Sequence, residues 1–90
     1  MEDTNQITLS TTATEVVKQA TGRKMISITN LDTGIIVYIS NRPNVSVTTG
    51  MPLYPMTTAS FYSSFGDDTV TSKYAVAASG TPTIAILEGY

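Results

Sequence analysis

Apolar residues in this chain recur at every second position, in short runs punctuated by glycine, proline and aspartate. In "TGRKMISITN" (21–30) Ile26 and Ile28 point one way while Met25, Ser27 and Thr29 point the other. That period of two predicts a strand with one buried face. "IIVYIS" (35–40) repeats the pattern, with Val37 and Ile39 inward and Tyr38 outward. "LDTG" (31–34) supplies turn residues between them, so the two runs are expected to form a hairpin. Near the C-terminus "YAVAASGTPTIAILE" (74–88) holds two more runs around a Gly-Thr-Pro corner. They predict strands over 73–79 and 82–88, with Ile84 and Ile86 on one face and Ala85 and Leu87 on the other. Alanine by itself permits a helix in "YAVAAS", but six residues ending at Ser-Gly-Thr-Pro cannot sustain one.

Weaker patterns fill the remainder. "QITLS" (6–10) and "MTTASFYSS" (56–64) read as strands. In "TEVVKQA" (14–20) Thr14 is placed to cap a helix, yet the β-branched Val16 and Val17 and the short length favour a strand. Pro43, Gly50, Pro52 and Pro55 make 41–55 a loop, and "FGDDTVT" (65–71) is a turn. Residues 1–5 form a flexible, extended N-terminal arm, and residues 6–90 a single β domain. Seven to eight short strands with turn signals every 8–12 residues predict an all-β antiparallel sandwich or jelly-roll-like barrel.

Composition narrows the chemistry. The 90 residues include no histidine and no cysteine, and only 13% are charged, against about 25% in typical soluble domains. Disulfides are excluded, the usual soft and borderline metal ligands cysteine and histidine are missing, and a small core of this size gains from self-association. A net charge of −2 gives no electrostatic reason to bind nucleic acid, and Arg23-Lys24 is the one basic pair. The acidic start "MEDTNQ" is unlike a secretory leader, and no apolar run approaches the roughly 20 residues that cross a bilayer, so a soluble cytoplasmic product without membrane partners is expected.

Without histidine, acid–base catalysis rests on carboxylates or lysine, and hydroxyl nucleophiles are inert without a neighbouring base. Lys18 and Lys73 lie in no nucleophile motif and read as surface lysines. Asp67-Asp68, with Asp32 as a third donor, has the makings of a calcium site, but acids beside a glycine are more often plain turns. "DTG" (32–34) is the aspartic-protease triplet, here single and set in a turn. No enzyme and no cofactor are expected. Tyr54 and Tyr62 are candidates for stacking on sugar rings, although tryptophan, the best side chain for that task, is absent.

Four motifs occur in a meaningful order: "GRKMISITN", "IVYIS", "TTGMPLYP" and "YAVAASGTPTIAILE". In that order, across residues 7–88, the chain resembles a recurring group of small tailed-bacteriophage virion proteins. Their pattern is an Arg-Lys before an alternating strand ending in Asn, a short strand, a Gly-x-Pro-Leu-x-Pro loop and a closing hairpin. Segment 61–73 is longer here than the corresponding loop of that group. The resemblance implies a capsid decoration (cement) protein, or a neck, tail or head-fibre-base component, with the major capsid protein or other virion proteins as partners. It implies a location on the virion, at the capsid surface, and threefold positions favour a homotrimer. Expected contacts come from the N-terminal segment, roughly Met1 to Ser10, with Ile7 and Leu9, the basic residues Arg23, Lys24 and Arg42, the loop residues Pro43, Pro52 and Tyr54, and Tyr62. A carbohydrate-binding module for host attachment is the reading from another class.

Overall fold

The structure, a computed structural model, describes residues 2–90. It is all-β: eight strands in two four-stranded antiparallel sheets, stacked as a sandwich. The strands are β1 (Glu2–Thr8), β2 (Thr14–Val17), β3 (Met25–Asn30), β4 (Val37–Ser40), β5 (Met51–Leu53), β6 (Thr58–Tyr62), β7 (Lys73–Ala77) and β8 (Thr83–Gly89). One sheet runs β1-β8-β3-β6 and the other β2-β7-β4-β5. The pairs β1·β8, β2·β7, β3·β6 and β4·β5 are nested, as though one long ribbon had been folded double and rolled up. Pairs β3·β8 and β4·β7 then close each sheet. This order is that of a jelly roll.

Both inner faces carry the alternation read from the sequence. Ile26, Ile28, Ile84 and Ile86 from the first sheet meet Val37, Ile39, Leu53, Ala75 and Ala77 from the second, all nearly inaccessible to solvent. Burying a side chain of this size contributes roughly 1.5–3 kcal/mol, so these few residues carry much of the core.

Three expectations are corrected. β3 and β4 do not pair with each other but lie in opposite sheets. The link is bent by Asn30 and Asp32: Asn30 Oδ1 accepts the Asp32 N–H at 3.0 Å, and Asp32 Oδ2 accepts those of Gly34 and Ile35 at 2.8 Å. β7 and β8 likewise belong to different sheets, joined across a corner where Gly80 takes a positive φ of 63°. A strand buries the same alternating face whether its successor pairs beside it or crosses to the facing layer, so periodicity cannot separate the two. The supposed arm is the third: residues 2–5 belong to β1, paired along its length with β8, whereas Met1 lies outside the described residues. In addition, the loop expected over 41–55 contains β5, three residues paired with β4.

Candidate interaction surface

The outer faces of the two sheets differ in how they are covered. On the β1-β8-β3-β6 sheet, cross-strand rows read Thr4–Leu87–Ser27–Ser60 and Gln6–Ala85–Thr29–Thr58. None of these eight side chains is ionisable. Hydroxyls are tied across strands, Ser27 to Ser60 at 3.0 Å, Thr29 to Thr58 at 2.8 Å and Thr8 to Thr83 at 3.4 Å. β-Branched, cross-bonded side chains lose little rotamer freedom when something is laid over them. A shallow depression of about 510 Å³ runs across β1, β8 and β3 on this face.

Apolar groups flank it at both ends. At one end Tyr62 meets Phe65 edge-to-face, with ring centroids 5.5 Å apart, and Phe65 is 79% exposed. At the other end Tyr54 and Met56 are both well exposed, on a turn closed by the Thr57 N–H to the Tyr54 carbonyl at 3.2 Å. Met56 adopts φ 60°, a left-handed conformation costly for a residue with a Cβ. Its N–H is held by the Asn30 carbonyl at 2.9 Å.

The second sheet is covered by its own chain. Residues 41–50 fold across its outer face, where Gly50 lies so close that a Cβ there would be 2.7 Å from both Tyr38 Cβ and Val45 Cγ2. Val45 and Val76 are buried as a result, although the register places Val76 beside Tyr38 on the outward side.

The expected contact residues divide accordingly. Lys24, Arg42, Pro43, Pro52, Tyr54 and Tyr62 are exposed. Ile7 is half-buried against the core, and Leu9, 1% exposed, belongs to it outright, with its N–H on the Pro82 carbonyl. The reading of Leu9 as a surface contact is therefore corrected. So is that of Arg23, which is 2% exposed. Its Nε donates to the Thr69 carbonyl at 2.6 Å, Nη1 to the Lys18 carbonyl at 2.7 Å and to Glu88 Oε1 at 2.8 Å, and Nη2 to the Val70 carbonyl at 3.2 Å. Thr69 returns a bond from its hydroxyl to the Arg23 carbonyl. The guanidinium thus gathers the 18–20 and 69–71 segments onto β8, and no local sequence signal distinguishes it from a solvated arginine.

Lys73, expected at the surface, is 4% exposed. It stands in an open cleft of about 520 Å³ between the β5 and β6 edges. Nζ donates to Asn41 Oδ1 at 2.7 Å and to the Asp68 carbonyl at 3.0 Å, and lies 4.7 Å from the Phe61 ring centroid. Burial pushes its pKa down, partly offset by Asp68. With its hydrogens so engaged, this amine fastens loops and presents no lone pair to a substrate. The loop carboxylates act as turn caps. Asp68 Oδ1 accepts the Val70 and Thr71 N–H groups, each at 3.1 Å, and Asp67 Oδ2 that of Tyr62 at 2.9 Å. Asp32 of "DTG" caps its own turn in the same way.

Sequence reasoning missed Asn30. It is fully buried and donates from Nδ2 to the Ile35 carbonyl at 2.8 Å and the Leu53 carbonyl at 3.0 Å, joining the two layers. The asparagine that closes the alternating strand was the available signal, since a buried amide must find several partners.

Fold and surface together define a jelly-roll domain with one self-covered sheet and one bare sheet whose two central outer rows carry no ionisable side chain. No family model and no curated protein sequence matches the chain.

Proposed function

We propose that this protein is a structural virion component of a tailed phage that decorates the capsid and stabilises it through protein–protein contacts. The observation that carries the reading is the bare outer face of the β1-β8-β3-β6 sheet, free of ionisable side chains in its two central rows and flanked by exposed aromatic and methionine side chains. Contact with such a face strips water from hydroxyls rather than from ions, so its desolvation cost is low. Four strands at about 4.8 Å spacing and some 20 Å of strand give a face of roughly 400 Å². A standard interface needs about 800 Å² per partner, so the apolar flanks complete the footprint. Repetition over a shell multiplies weak individual contacts, because each further contact of an already tethered unit is effectively intramolecular. The motif order of the chain supports the same reading, with the major capsid protein or other virion proteins as partners.

The experiment is to mix the purified protein with undecorated heads. Bound copies that raise the melting temperature of the heads are expected, and a Thr29→Lys, Leu87→Lys variant should lose binding while melting normally by itself. Absence of bound copies overturns the proposal. A neck, tail or head-fibre-base position would show as binding confined to a few sites per particle.

A glycan-binding reading draws on the exposure of Tyr54 and Tyr62. These stand at opposite ends of β6, and Tyr62 and Phe65 meet at 72°, so they make no flat stacking platform. A specific glycan-array signal lost in Tyr62→Ala would favour it over the contact reading.

A further inference from the structure

Each sheet ends in edge strands, and three of the four edges are blunted. β2 has four residues and a register slip between Glu15 and Val17. β5 has three residues and contains Pro52. β6 is clamped near its end, where Asp67 takes the Tyr62 N–H on its carboxylate and returns its own N–H to the Tyr62 carbonyl. Such devices prevent edge-to-edge pairing. β1 has none of them: seven residues, no proline and unbroken register with β8.

The ladder itself shows which groups are free. Leu9 donates to Pro82, so in this antiparallel pair the odd-numbered residues exchange hydrogen bonds with β8. The N–H and C=O groups of Thr4, Gln6 and Thr8 consequently point away from the sheet. The Gln6 N–H is held only by the neighbouring Asn5 Oδ1, a local exposed bond that a better acceptor would replace.

We infer that β1 pairs antiparallel with β1 of a second copy about a two-fold axis at Gln6, making one continuous eight-stranded sheet. The occupant is a second copy because in this register the strand faces itself with the two Asp3 residues far apart and Ile7 brought near Ile7. Thr4 then faces Thr8 of the second copy, Gln6 faces Gln6, and three pairs of main-chain groups supply six hydrogen bonds. Asp3 lies opposite Leu9, about 20 Å along the ladder from the other Asp3, beyond the roughly 8–10 Å range of screened charges. Moving the axis to Asn5 keeps the main-chain pairing but sets Asp3 opposite Ile7 and draws the two Asp3 residues to about 13 Å. Moving it to Thr4 draws them to about 7 Å, within the range of screened charges. The half-buried Ile7 of each copy meets the other on the diagonal across the axis, covering apolar surface that one chain leaves open. The inference stands apart from the capsid reading, since it concerns the free protein.

The test is the mass in solution up to millimolar concentration, by sedimentation equilibrium. Twice the chain mass of 9.6 kDa is expected at the upper end. Gln6→Lys and Gln6→Glu should each be monomeric, because like charges then face each other across the axis, and an equimolar mixture of the two should recover the dimer. Gln6→Pro removes an outward N–H while leaving the bonds to β8, so it should be monomeric with an unchanged fold by circular dichroism. A wild-type protein that stays monomeric, or that forms a three-chain species, overturns the inference. So does a dimer that survives Gln6→Pro or a charge-swapped mixture that fails to associate.

Discussion

Arg23 Nη1 lies 2.8 Å from Glu88 Oε1, joining residues 65 positions apart in the chain. The arginine side chain is fully covered, whereas the glutamate retains 19% of its exposure. A buried cation with five donors costs little only when carbonyls and a carboxylate surround it, and here they do. Arg23→Ala is expected to cost about 3–5 kcal/mol, since it strands several inward carbonyls and the carboxylate. Arg23→Lys should recover only part of this, because an ammonium has three donors and no planar fork. Glu88→Gln keeps an acceptor and should cost about 1–2 kcal/mol. Urea unfolding should return that order, and equal costs for all three would refute the hub.

Asn30 is the second internal tie. Asn30→Ala leaves the Ile35 and Leu53 carbonyls without their side-chain donor, an expected loss of about 2–4 kcal/mol. Asn30→Asp should be worse, because it points a carboxylate at the same two carbonyls. Thermal melts of the two variants decide the ranking.

Gly50 is needed for space rather than for backbone freedom. A methyl group there would press on Tyr38 Cβ and Val45 Cγ2. Gly50→Ala is expected to cost about 1–3 kcal/mol through overpacking. It should also lift the 41–50 loop from its sheet, seen as faster proteolysis within that loop at unchanged secondary structure.

Asp68 and Lys73 should each contribute a pH dependence to stability. Hydrogen bonds from the Thr71 hydroxyl and from the Thr71 and Val70 main chain lower the Asp68 pKa from 3.8 to about 2. Its contribution is therefore intact above pH 3.8 and is lost as pH falls through about 2. Asp68 is largely exposed, so the effect is small, but Asp68→Asn should flatten this dependence in acid titrations of the melting temperature. Lys73 behaves oppositely. Burial lowers its pKa below 10.5, so the unfolded chain holds the proton more tightly. Stability from this group rises with pH up to about 10.5, a rise that Lys73→Met should abolish.

Much of this was legible along the chain. The inward faces of β3, β4 and β8 followed from Ile26/Ile28, Val37/Ile39 and Ile84/Ile86, because which way a side chain points in a strand depends only on its parity. The strands themselves were recognisable, apart from the three-residue β5, whose Pro52 masks it as loop.

The sequence by itself determined an all-β sandwich or barrel, the faces its strands bury and a surface poor in charge, since alternation and composition are local quantities. Only the tertiary structure decided that β3 lies between β8 and β6 rather than beside β4, and that Leu9, Arg23 and Lys73 lie inside. Partners for those groups come from distant segments, Pro82 for Leu9 and Glu88 for Arg23, and nothing in the neighbouring sequence specifies which distant carbonyl or carboxylate a cation will meet.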